Sequence, residues 1–272
     1  MSNYLNPKFK FNLSLVAENY YLNREYIKAK KILKNFNKED DAFYWFRIKK
    51  EAQILVEEKN YEYGLKYIDS KFSKIENPNS KIIFDLANFY KNSKNFETAI
   101  EYYTKIISKL DDDSLIKSDL LFRRGGSYER LGKFEESDKD FFHSLDINPN
   151  NAHVLNYLAY SWLEREYKID EAMKLLQTAY ELRSDDPYII DSIGWAYYLI
   201  DNYSEAEKYI KRAVELMPDD PIVNDHYGDI LWKLNRKIQA RYFWNNVLKF
   251  EDTEDSMRNK INIKVIEGLK NS

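Results

Sequence analysis

The sequence predicts an all-α solenoid of helix pairs, and three observations carry that expectation. The stretch from Pro187 to Asp220 reads as helix, turn, helix over 34 residues, and Pro221 restarts the same pattern. Pairs of small residues recur at matching positions of seven such units. Glycine and proline are scarce, 7 and 6 in 272 residues, which argues against a loop-rich β protein.

The unit from Pro187 to Asp220 sets the register. Ile190, Ile193, Gly194, Tyr197 and Tyr198 recur at helical spacing and share one face of a first helix. Asp201-Asn202 is a short polar turn. Tyr203, Ala206, Ile210, Ala213 and Leu216 mark one face of a second helix. Pro218-Asp219-Asp220 ends it, because proline cannot continue the hydrogen-bond ladder.

The same register slides along the chain. The small pairs are Ala17/Ala29, Ala52/Gly64, Ala87/Ala99, Gly125/Ser137, Ala159/Ala172, Gly194/Ala206 and Gly228/Ala240. Each pair is expected where the two helices of a unit cross, since small residues let the backbones approach closely. The expected units span about 10–43, 45–79, 80–113, 118–151, 152–186, 187–220 and 221–254, in a single solenoid over 1–272. Ser114 to Lys117 is extra, as a longer linker or an added turn of the next helix, and one residue is inserted near Tyr167-Lys168. Over 256–270, Met257, Ile261, Val265 and Leu269 fall at i+4 steps. They predict an amphipathic capping helix, with Lys and Arg on its other side, over the apolar face of the last unit.

These units resemble the tetratricopeptide repeat. Gly194 matches its small eighth position, Tyr197 its aromatic eleventh, Ala206 its small twentieth and Pro218 its closing thirty-second. The resemblance implies a right-handed superhelix whose concave groove is lined by the second, fifth, ninth and twelfth residues of each first helix. In the last three units these are His153, Asn156, Tyr160 and Leu163, then Tyr188, Asp191, Trp195 and Tyr198, then Ile222, Asp225, Asp229 and Trp232. Asn156, Tyr160, Tyr188, Asp191, Trp195, Tyr198, Asp225, Asp229 and Trp232 are therefore the expected binding residues. Large aromatics among amides and carboxylates, on a surface the fold does not need to bury, have the composition of a hot spot for a peptide or protein. The competing reading is that Trp195 and Tyr198 only pack against neighbouring first helices.

The matching positions of units two to four are more mixed in charge, and a carboxylate clamp is not expected there. Lys49 and Arg123 suit such a clamp, but Asp85 and Asp119 stand where it needs an amide and a cation. Their charges would repel a ligand carboxylate. In units five to seven, NYLAYSWLE, DSIGWAYYL and DHYGDILWKL resemble the C-terminal repeats of bacterial tetratricopeptide adaptor proteins, some of them lipid-anchored.

No motif points to catalysis, a cofactor or a metal. Gly125-Gly126 lies inside a predicted helix, there is no cysteine, and the three histidines are scattered. The aspartate runs at 111–113, 185–186 and 219–220 fall between units, where Asp caps the next helix. With 42 basic and 45 acidic residues the chain has no overall footprint for nucleic acid. No window approaches a membrane span. The expected function is a non-catalytic scaffold or adaptor holding a protein segment. The alternative is a regulatory or targeting module cut from a larger bacterial protein. The N-terminus lacks a secretory apolar run, so the default compartment is cytoplasmic. The first unit begins within about a dozen residues of Met1 with no capping helix before it. A periplasmic location is thus the alternative, with Met1 starting a piece whose signal or anchor has been removed.

Overall fold

The computed structural model describes residues 7–37, 43–251 and 253–269. Among them are fifteen α-helices, one short 3-10 turn and no strand. The helices are α1 (Pro7–Leu22), α2 (Tyr26–Leu33), α3 (Tyr44–Glu58), α4 (Tyr61–Phe72), α5 (Ser80–Asn92), α6 (Phe96–Ile107), α7 (Leu115–Arg130) and α8 (Phe134–Ile147). Then come α9 (Ala152–Leu163), α10 (Ile169–Leu182), α11 (Pro187–Leu199), α12 (Tyr203–Leu216), α13 (Pro221–Lys233), α14 (Lys237–Val247) and α15 (Asp255–Glu267). They are seven helix pairs and a last helix. Two compact units hold them: Met1–Asp111 with Gly126–Lys133, and Asp112–Gly125 with Phe134–Ser272. The first contains the pairs from α1 to α6. The second contains most of α7 and everything from α8 onward.

The small pairs sit at the helix crossings for a steric reason. All fourteen residues are buried. A Cβ added to Gly194 would come within 2.5 Å of Ile210 Cγ1 and 3.2 Å of its backbone nitrogen. Ala206 is fully buried in a cluster with Ile210, Tyr227 and Trp244. Ala206→Leu is therefore expected to cost about 1–3 kcal/mol through overpacking. Thermal melting checks it, and wild-type stability would mean the crossing is not tight.

Six of the seven turns between paired helices share one mechanism, the exception being the one between α3 and α4, where Lys59 has φ -134°. Arg24, Lys94, Gly132, Glu166, Asp201 and Asn235 all have positive φ, from 50° to 71°. The following N–H then donates back to the end of the first helix: Glu25 to Tyr20, Asn95 to Tyr90, Lys133 to Tyr128, Tyr167 to Trp162, Asn202 to Tyr197 and Arg236 to Leu231, at 2.8–3.0 Å. This left-handed cap satisfies carbonyls that the helix end would otherwise leave open. Its acceptors are the eleventh-position residues, so one position supplies both a core side chain and the turn's anchor.

Helix starts are capped by Asn60, Asn79, Asn95, Asn151 and Asn202. Asp186 accepts from the N–H of Tyr188 and Ile189, and Asp220 from Ile222 and Val223, as the aspartate runs suggested. In the run at 111–113, Asp112 instead pairs with Lys117. Three of the four extra residues, Leu115 to Lys117, form the start of α7, and the inserted residue places Lys168 in a left-handed conformation before α10.

The last helix covers the end of the second unit. Ile261 is fully buried, and Met257, Val265 and Leu269 pack on the cluster formed by α12 to α14. Arg258 donates to the carbonyls of Leu248 and Thr253, at 2.6 and 3.0 Å. Lys270 lies outside the described residues. One feature of α15 differs from expectation. Its basic residues do not all face away from the stack, because Lys264 turns inward to α13.

Candidate functional site

The first helices α9, α11 and α13 bring most of the expected site residues together within the second unit. At the centre is Trp195. Its indole is half-buried and stacks on the ring of His226 at 4.1 Å between centroids and on Tyr198 at 4.6 Å, nearly parallel to both. Tyr160 approaches the same histidine at 6.4 Å. Two residues of α11 and one of α13 thus make a three-ring stack, with α9 at its edge. Burial, then Glu164, Asp191 and Asp225, push the Tyr160 phenol well above its ordinary value, so it stays a neutral donor. Burial, then Asp229, does the same to Tyr198. The indole nitrogen Nε1 of Trp195 and Oδ1 of Asn156 are buried atoms without a hydrogen-bond partner. Tyr188 is 59% exposed at the start of α11.

The carboxylates expected to face a ligand face protein groups instead. Asp191 is buried, and its two oxygens lie 2.9 and 3.1 Å from His226 Nδ1. Asp229 is buried, accepting from Lys264 Nζ at 2.8 Å and from Trp244 Nε1 at 3.0 Å. Asp225 accepts from the same ammonium at 2.6 Å. The reason is geometric. The fifth and ninth positions of one first helix are where the next helix lies, α13 over α11 and α15 over α13. Trp232 belongs to this second group: it packs near Trp244, at 5.5 Å, and Gly268 lies against its ring. The guanidinium of Arg241 covers it at 4.9 Å.

The electrostatics follow from burial and pairing. Burial works against a charge on His226, but Asp191, its hydrogen bond, Asp225 and Glu164 outweigh that and raise its pKa above the ordinary 6.5. Burial also opposes the Lys264 ammonium, and Asp229 and Asp225 together hold it charged. Asp229 is pushed up to about 7 by burial and by Asp225, against the pull of Lys264 and His226. His226 was not among the expected residues, since a lone histidine carries no signal of its own. Among the described residues, no group of three or more His, Cys, Asp or Glu is placed to hold a metal. No helix among them is long and apolar enough to cross a membrane.

Comparison with known proteins agrees with this architecture. The family model described as tetratricopeptide repeat matches residues 80–108, 118–151 and 189–220. A TPR repeat-containing protein of Pseudomonas aeruginosa is 35% identical over 80 residues, 29% of this chain and 14% of that protein. One from Methanocaldococcus jannaschii is 34% identical over 99 residues, 36% of this chain and 30% of that protein. The matched stretches thus span less than a third of those relatives' own lengths. The crystal structure of a tetratricopeptide repeat protein from Parabacteroides merdae superposes with a TM-score of 0.73 at 15% identity, covering 93% of this chain and 98% of that one. At that identity the likeness is one of fold.

Proposed function

We propose that this chain, which is a tetratricopeptide-repeat protein, works as a non-catalytic adaptor that holds a protein segment across the first-helix face of α9, α11 and α13. The observation that carries the reading is the stack of Tyr198, Trp195 and His226. Three rings held by one another offer a rigid apolar edge, so a partner orders little of the protein when it docks. Tyr188, on the same helix as Trp195 and Tyr198, is exposed to solvent. The Trp195 N–H and the Asn156 oxygen are buried without a hydrogen-bond partner, one donor and one acceptor for a partner's backbone after a small shift. Asp191, Asp225, Asp229 and Glu164 outnumber His226 and Lys264 around the stack, which favours a neutral or basic segment over an acidic one.

Trp195→Ala is expected to weaken partner binding by about 2 kcal/mol or more, because truncating a central aromatic removes a hot spot. Tyr188→Ser, at an exposed position, should weaken it less and leave the fold untouched. The measurement is quantitative capture of partners from cell extract, with circular dichroism of each variant as the control. Undiminished capture by both variants would remove this face from consideration. A second reading, a targeting module within a longer protein, is favoured by the small share of the longer relatives that the matched stretches span. It would use the same surface.

A further inference from the structure

The N-terminal unit contains a cavity of about 740 Å³ that the adaptor reading does not use. It opens where the start of α3, the end of α4 and the start of α5 meet. Tyr44, Trp45, Phe46, Ile75 and Ile82 form an apolar floor. Lys49, Lys71, Lys74 and Lys81 stand around it with Glu76 and Asp85. The volume lies within the range of about 300–1,000 Å³ typical of ligand pockets.

The charges around the cavity are not equivalent. Asp85 already accepts from Lys49 Nζ at 2.8 Å and from Trp45 Nε1 at 3.0 Å. That pairing neutralises one lysine and fixes the indole, which also meets Phe72 edge-on at 6.3 Å. Lys74 and Lys81 are left against Glu76, while the Lys71 ammonium lies over the Tyr67 ring at 5.5 Å. Lys74 and Lys81 are exposed and form no ion pair among the described residues. Their backbone is well anchored: the Lys74 N–H donates to the Lys71 carbonyl, and Asn79 caps α5 by accepting from the Ile82 N–H at 3.0 Å. The lysines therefore rise from an anchored backbone around an apolar floor, and the site gains most from an anion that also fills the apolar space.

We propose that this cavity is a second binding site, which takes an acidic peptide segment carrying an aromatic or aliphatic side chain. The side chain covers Tyr44, Trp45 and Ile82, and flanking carboxylates meet Lys71, Lys74 and Lys81. A peptide suits the site better than a bare anion, which would leave the floor uncovered. The preferred charge is opposite to that of the first-helix face in the C-terminal unit, and the two sites share no residue.

The test uses the full chain and a fluorescein-labelled peptide, Glu-Asp-Phe-Glu-Asp-Leu-Glu, with a counterpart carrying Lys at every acidic position. Fluorescence anisotropy should show binding of the acidic peptide alone, weaker at high salt. Lys74→Glu combined with Lys81→Glu should lower its affinity at least about tenfold, since both charges then repel the ligand. These side chains are exposed, and a melting curve checks that the variant folds. A milder pair, Lys74→Gln with Lys81→Gln, should lower affinity in the same direction if the reversal disturbs the fold. Trp195→Ala should leave acidic-peptide binding unchanged. Equal binding of both peptides, unchanged affinity in the lysine variants, or full displacement by inorganic phosphate would overturn the proposal. So would loss of the acidic peptide in Trp195→Ala, which would move it to the other face. Failure here with Trp195-dependent capture intact would remove this site and leave the adaptor surface standing.

Discussion

Replacing Lys264 by Met is expected to loosen α15 from the second unit, at a cost of about 3–5 kcal/mol. The magnitude comes from what is left behind. Asp225 and Asp229 share the one ammonium, at 2.6 and 2.8 Å, and Asp229 is buried beneath α15. Without Lys264 they are two neighbouring carboxylates with little water. Asp229, already pushed up to about 7, would take up a proton and limit the loss. The variant should therefore be least destabilised at mildly acidic pH. Hydrogen exchange over 255–267 and thermal melting give the measurement. Removing Asp225 and Asp229 together with Lys264, as Asn, Asn and Met, should recover much of the loss, because no charge is then buried alone. Wild-type exchange in Lys264→Met would show that the apolar contacts of α15 and the Arg258 hydrogen bonds hold the helix without the ammonium.

Raising pH through neutrality is expected to lower the stability of the second unit, and Asp191→Asn to flatten that dependence. His226 has a folded pKa above its ordinary 6.5. Its pairing thus contributes fully below about 6.5 and is lost as pH rises through the folded value. Asp229 acts in the same direction. Its folded pKa of about 7 lies above the ordinary 3.8, so stability falls between those values as the buried carboxyl is forced to ionise. Asp191, Asp225 and Glu164 raise the His226 pKa, and Asp229 interacts with the same imidazole. In Asp191→Asn the amide oxygen still accepts from a neutral imidazole but no longer balances a charged one. The expected loss is about 3 kcal/mol on the acidic side of 6.5, shrinking toward alkaline pH. Melting temperatures of wild type and variant across mildly acidic to mildly alkaline pH decide it. Parallel curves would mean that His226 stays neutral throughout.

How much of this was legible in the sequence depended on whether a physical demand recurs. Helix crossings recur, so Gly194/Ala206 and its six counterparts exposed the register. The turns were partly legible. Asp201-Asn202 looks like a turn, but Arg24, Lys94 and Glu166 do not, because the returning hydrogen bond imposes their left-handed geometry. In the candidate site, Tyr160, Trp195 and Tyr198 were found from repeat position, while the burial of Asp191 and Asp229 was not. Their partners lie on the next helix, 35 residues on for His226 and 35 for Lys264. A search for opposite charges about one repeat apart would have found both pairs. Lys264 escaped because an amphipathic reading of α15 places cations in solvent, whereas a long side chain can carry its charge inward when carboxylates wait there.

That one-repeat spacing has a consequence for how the protein assembles. Within the first unit Lys50 reaches Glu18 across 32 residues and Lys49 reaches Asp85 across 36; within the second, the spans are 35 from Asp191 to His226 and 39 from Asp225 to Lys264. Each bond closes a chain segment of nearly constant length. Once one pair of helices has nucleated, every further pair zips on at a similar entropic cost, with no long-range closure to wait for. Unfolding runs the same steps in reverse, by fraying. At the C-terminal end the first step is the withdrawal of a single ammonium group from between two carboxylates.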